Sequence, residues 1–167
     1  MRSALADITK DPQRCIELSG HSRALYTPQG LMTPFYYLYS IFSRIDGNIT
    51  EQRDQYMIIK SEETVYLLIS QEDRDSKLKS HIHINEIYGK FFVAEKMYTK
   101  NHTCYEILKA LGHPEFLNDT IKSNINVFSG GTINLSCIDV AESYDMDFDM
   151  EPNSFAYIEI GTTSPYL

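Results

Sequence analysis

Tryptophan is absent from the 167 residues, and no apolar run exceeds a few positions; the longest stretches, at 35–38 and 65–69, fall far short of a membrane span. A spanning helix needs about 20 consecutive apolar residues, so none is expected. Residues 1–7 lack the continuous apolar core of a secretory signal, which points to a cytoplasmic chain. Cysteine is scarce: Cys15, Cys104 and Cys137 have no paired spacing and fit free or buried thiols in a reducing compartment. Four Asn-x-Ser/Thr triplets, at Asn48, Asn101, Asn118 and Asn134, carry no weight without export. Basic clusters are missing too. Lys77-Leu78-Lys79 is the densest, and a pI near 5.0 argues against direct nucleic-acid binding and against attachment to an anionic membrane.

The most informative absence lies at the C-terminal end. The last 45 residues hold no lysine, arginine or histidine, yet carry seven carboxylates: Asp139, Glu142, Asp145, Asp147, Asp149, Glu151 and Glu159. Positions 1–122 keep 16 of the 23 acids against all 15 bases, so −7 of the net −8 sits in this one segment. Within it, residues 144–151 alternate strictly between apolar and acidic. Successive side chains of a strand point to opposite faces. A strand here would bury Tyr144, Met146, Phe148 and Met150 and display Asp145, Asp147, Asp149 and Glu151. Same-face residues repeat every ~6.6–6.8 Å. Two carboxylates at that spacing repel by ~0.6 kcal/mol in bulk water and by several times that near a protein surface. Such a row offers attraction and steering to a cationic partner.

What is present suits one globular domain over residues 1–167. The 43% hydrophobic and 23% charged fractions are ordinary, and a chain of this size buries enough surface to fold without disulfides or metal. A short helix, interrupted at Pro12, is expected before residue 20. Residues 35–45, aromatic and β-branched, read as a strand ending at Asp46-Gly47-Asn48. Residues 55–60 and 64–70 form a hairpin across Ser61-Glu62-Glu63, and 78–84 form a further strand. The periodicity of 85–98 favours a helix. Thr103 and Glu106 make a capping box for a helix over 104–111, stopped by Gly112, and 114–121 adds a turn or two. Strands return at 124–128, after a Ser129-Gly130-Gly131 turn at 132–140, in the acidic ladder and at 155–160. Strands, helix, then strands without βα alternation predicts α+β, with a mainly antiparallel sheet and a few short helices packed on it.

Few motifs carry chemistry. Asp145-x-Asp147-x-Asp149 matches the first ligands of a calcium loop, but such a loop needs glycine sixth and glutamate twelfth, where Met150 and Ala156 stand. Gly20-His21-Ser22-Arg23-Ala24 imitates a nucleophile elbow without the parallel sheet an elbow requires. Gly130-Gly131 precedes no lysine or helix and is a turn, not a phosphate loop. His81-Ile82-His83 would place two imidazoles on one strand face, a metal-chelating geometry that lacks a third ligand. Glu86, His102 and Cys104 are candidates that the spacing does not select. A small metal-dependent enzyme built on His81 and His83 is therefore an alternative, as is a structural or oligomeric subunit.

The ladder over 144–151 and the base-free tail, about a quarter of the chain, resemble the profile of bacterial toxin-neutralising immunity proteins, such as those of contact-dependent growth-inhibition systems. That resemblance is one of profile, with no family motif. It implies a non-enzymatic, acidic, cofactor-free cytoplasmic protein that binds a basic partner, a cognate toxin such as a nuclease. Asp145, Asp147, Asp149 and Glu151 would supply the contact.

Overall fold

A computed structural model describes residues 24–71, 75–85 and 87–162. The expected N-terminal helix and nearly all of the 20–24 motif lie outside them. The elements run α1 (Pro34–Phe42), β1 (Asn48–Gln52), β2 (Tyr56–Lys60), β3 (Thr64–Gln71), β4 (Leu78–Asn85) and β5 (Gly89–Thr99). A 3-10 turn (Lys100–His102) leads into α2 (Cys104–Ala110) and α3 (Asp119–Ser129), followed by β6 (Thr132–Val140), β7 (Ser143–Met150) and β8 (Ser154–Thr162). The class is α+β, as the sequence predicts.

Six strands form one antiparallel sheet in the order β1-β2-β3-β8-β5-β6, while β4 and β7 pair as a separate two-stranded sheet. The central strands β3 and β8 are buried on both faces, which their near-continuous apolar sequences require. One face directs Leu67, Ile69, Val93, Ala156, Ile158 and Ile160 against Met146, Phe148 and Met150 of β7, with Leu78, Ile82 and Ile84 of β4 beside them. The two sheets thus close a sandwich. The opposite face packs Met57, Ile59, Tyr66, Leu68, Phe155 and Tyr157 under Leu38 and Ile41 of α1. Each fully buried side chain of this size contributes about 1.5–3 kcal/mol through removal from water. A third cluster, Leu31, Cys104, Leu108, Leu117 and Ile125, holds α2 and α3 together. The Tyr37 hydroxyl donates to the Asn126 carbonyl at 2.6 Å and ties α1 to α3.

Three expectations are corrected. Residues 35–45 are mostly helix: Thr33 caps the N-terminus by accepting from the Tyr36 N–H at 3.3 Å, Pro34 presets the first turn, and Tyr37, Leu38 and Ile41 make the buried face. Residues 85–98 are mostly β5, a long strand flanked by β6 and β8. Residues 124–128 belong to α3, begun by the Asn118 side chain accepting from the Ile121 N–H at 2.9 Å. The hairpin β2–β3, the capped helix α2, and β4, β6, β7 and β8 stand where the sequence puts them. Among the described residues no helix is long and apolar enough to cross a membrane.

Candidate functional site

Both strands of the small sheet alternate. Leu78, Ser80, Ile82 and Ile84 of β4 turn inward while Lys79, His81, His83 and Asn85 turn outward. On β7, Met146, Phe148 and Met150 are buried, with Asp145, Asp147 and Asp149 exposed on the outer face. The ladder therefore has the orientation its alternation predicts. Its cations come from outside the base-free segment. The antiparallel register sets Lys79 opposite Asp149, His81 opposite Asp147 and His83 opposite Asp145. Beyond the strand ends, Lys77 Nζ meets Glu151 Oε1 at 2.5 Å. What the sequence shows as a row of negative charge is, in three dimensions, a face of mixed sign.

The densest part is the His81–His83–Asp145–Asp147 group. His83 Nδ1 lies 2.6 Å from Asp145 Oδ1, and His81 Nε2 lies 3.1 Å from the same oxygen. The other ring nitrogen of His81, Nδ1, is 2.9 Å from Asp147 Oδ1. Hydrogen bonding to Asp147 holds His81 above the usual imidazole range, and hydrogen bonding to Asp145, then to Asn85, does the same for His83. In return, the His83 hydrogen bond holds the Asp145 carboxyl below its ordinary value. All of these side chains are exposed, so water screens their charges and each pair alone contributes little to stability.

The third partner that the histidine pair needs thus arrives from β7. Asp145 meets both imidazoles; His102 does not, its Nδ1 lying 3.1 Å from the Thr99 hydroxyl with the ring edge-on to Phe128. Cys104 is fully buried in the helical cluster, where burial pushes its thiol up to about 11. Glu86 lies outside the described residues. The calcium-loop reading is excluded by the regular strand that Asp145, Asp147 and Asp149 occupy.

An open depression of about 640 Å³ lies at the β1–β2 turn, lined by Gln52, Arg53, Asp54, Gln55 and Tyr56. Beside it Glu51 accepts from the Tyr56 hydroxyl at 2.7 Å and from Arg53 Nε at 3.2 Å, which lowers its carboxyl, the tyrosine bond more than the arginine.

The fold defined by these elements is an antiparallel sandwich of six strands against two, with a helix on the outer face of the larger sheet. The same arrangement occurs in solved glycoside hydrolases. A monomeric β-xylosidase from Caulobacter crescentus superposes with a TM-score of 0.69 at 14% identity, over 84% of this chain and 33% of that one. A GH39 enzyme from Xanthomonas axonopodis pv. citri gives 0.71 at 9% identity, over 84% and 32%. A GH39 β-xylosidase from Caulobacter crescentus gives 0.62 at 16%, over 83% and 30%. The chain thus spans about a third of the length of each of these three enzymes. No family model matches the sequence, and no curated protein does.

These likenesses correct the expectation of a non-enzymatic protein, since solved structures that share its fold include glycoside hydrolases. At such identities what is shared is the fold.

Proposed function

We propose that this chain is the β-sandwich part of a glycoside hydrolase-type enzyme and works with a catalytic part that corresponds to the unmatched two-thirds of its structural neighbours. The observation that carries the reading is the superposition over 84% of the chain on about one third of a β-xylosidase and of a GH39 enzyme. Chemistry supports assigning the bond cleavage to the other part. Glycosidic hydrolysis needs two carboxyl groups facing each other across a cleft, about 5–5.5 Å apart for retention and 6.5–9.5 Å for inversion. In the β1–β2 depression Asp54 is the lining carboxylate, and the Asp145 and Asp147 carboxylates stand on an outer face against histidines.

An uncovered apolar surface supports the same reading. On the α1 side of the large sheet, Phe92 of β5 and Ile133 and Leu135 of the edge strand β6 are exposed, the last two at 60% and 59%. Val127 and Phe128, which end α3 just before β6, are exposed as well. Exposed apolar surface of this kind suits a protein contact, and under this reading the catalytic part covers it.

Fractionation of the source cell tests this. Antibody depletion of the chain should remove hydrolysis of an aryl β-xyloside or a related aryl glycoside from a fraction that migrates well above the chain's own 19.3 kDa. Migration at 19.3 kDa, with glycosidase activity untouched by depletion, overturns the reading.

A second reading is favoured by the solvent-facing aspartates of β7, Asp147 above all at 91% exposure: the outer face docks a basic protein partner, the toxin-neutralising role. Lys77, Lys79, His81 and His83 along the same face reduce the charge on offer. Replacing Asp145, Asp147, Asp149 and Glu151 by their amides should slow association with such a partner, more at low salt than at high. Equal association rates at both salts remove the role.

A further inference from the structure

We propose that His81, His83 and Asp145 form a binding site for one divalent transition-metal ion of the zinc class, with at least one coordination position left to water or to an outside ligand. The site stands on side-chain geometry and does not depend on the glycosidase reading.

One ligand atom from each of the three residues lies within 4.8 Å of the other two. Ligand atoms held about 2.0–2.2 Å from a zinc ion stand ~3.4 Å apart in a tetrahedral sphere and ~2.9 Å apart at right angles. His81 Nε2 and His83 Nδ1 stand 3.1 and 2.6 Å from Asp145 Oδ1. Opening these to coordination distances takes a shift of well under an ångström at a side chain that is 54% exposed and free to make it. The ion replaces the protons that bridge the two ring nitrogens to the carboxylate, and releases them to solvent.

The surroundings already contain the second layer that metal-binding histidines use. A ligating imidazole characteristically donates its other N–H to a carboxylate or amide, which fixes tautomer and ring plane. His81 has that support at Nδ1 from Asp147, 2.9 Å away, which presents Nε2 toward Asp145. His83 has Asn85 two positions along the same outward strand face. The backbone beneath is a regular eight-pair antiparallel ladder whose inward residues, Ile82, Ile84, Tyr144 and Met146 among them, belong to the sandwich core. Strand ends and loops contribute nothing to the ligand set, so the spacing of the three ligands is fixed by the sheet.

Two imidazoles and one carboxylate select for zinc, copper, nickel or cobalt over calcium and magnesium, which prefer all-oxygen cages. Three protein ligands with an open position resemble catalytic zinc sites more than closed structural ones. On this exposed face the open position is accessible to a carboxylate, imidazole or hydroxyl from another molecule.

Isothermal titration of the full chain with zinc chloride in chelator-free buffer tests the site. One ion per chain is expected. His83→Ala should weaken binding at least tenfold, and the double variant His81→Ala/His83→Ala should take up none. Asp147→Asn should keep the stoichiometry while weakening affinity 10–100-fold, the size of effect that support residues show. Far-UV circular dichroism and the thermal midpoint of each variant, compared without metal, separate lost ligands from lost fold. The histidine ring resonances give a second reading: of the five histidines in the chain, those of His81 and His83 alone should shift or broaden with zinc. Absence of uptake with free zinc raised to roughly 1 mM, wild-type binding by the double variant, or movement of His102 or His113 in place of the pair would each overturn the assignment.

Discussion

Cys104 and Cys137 differ in surroundings more than in chemistry. Cys104 is fully buried between α2, α3 and Leu31, while Cys137 is exposed on edge strand β6. Burial disfavours the thiolate and pushes the Cys104 thiol from 9.0 up to about 11. An aromatic disulfide reagent at pH 8 should therefore label Cys137 quickly and Cys104 only on unfolding, which peptide mass mapping reads directly. The pH consequence has a definite sign. Between 9 and 11 the unfolded chain releases the Cys104 proton and the folded chain keeps it, so stability falls as pH rises through that window and is unaffected by this group below it. Cys104→Ala should flatten the decline of the thermal midpoint above pH 9. An unchanged slope would mean that the thiol is not sequestered as its packing implies.

At the scale of single elements, α1 separates what local sequence encodes from what context decides. Its residues, Phe-Tyr-Tyr-Leu-Tyr-Ser-Ile-Phe after Pro34, favour strands by propensity. The start signal overrides them. Thr33, 1% exposed, caps the helix and also donates its hydroxyl proton to the Ala24 carbonyl at 2.7 Å. Thr33→Ala removes the cap and the hydroxyl's bond to the Ala24 carbonyl, so it should destabilise the protein by about 1–2 kcal/mol in urea unfolding. Thr33→Ser should recover most of the loss. A neutral alanine variant would show that packing of Tyr37, Leu38 and Ile41 alone sets the helix. Elements with a single buried face were legible: β7 alternates strictly, and α2 carries its capping threonine at Thr103 and a glycine with positive φ at Gly112. Strand β5 was not, because it runs between β6 and β8 with partly buried residues on both faces, which erases the period of two. The histidine pair could be read from spacing alone. Its partner Asp145 could not, because 62 residues separate it from His83 and only strand pairing unites them. The signal was nonetheless present, as two alternating segments whose outward residues carry opposite charge.

Over the whole molecule, the large sheet is a platform covered unequally. Its middle is sealed on one side by β4 and β7 and on the other by α1, whereas the α1 side of β5 and β6 keeps Phe92, Ile133 and Leu135 in the open. The fold was legible as a class because antiparallel strands joined by short turns leave periodic traces. The assignment of strands to two sheets was not, since it depends on which apolar faces meet. The pairing of β4 with β7 also limits how this chain can change in length. Because both strands alternate over their whole span, slipping one past the other by a single residue would carry three aspartates or two histidines into the sandwich. An inserted or deleted residue in either strand reverses every position beyond it, whereas a change of two restores the order. Descent with modification in this hairpin-sized sheet is therefore constrained to even steps, and its parity should persist in distant relatives long after the individual side chains have been replaced.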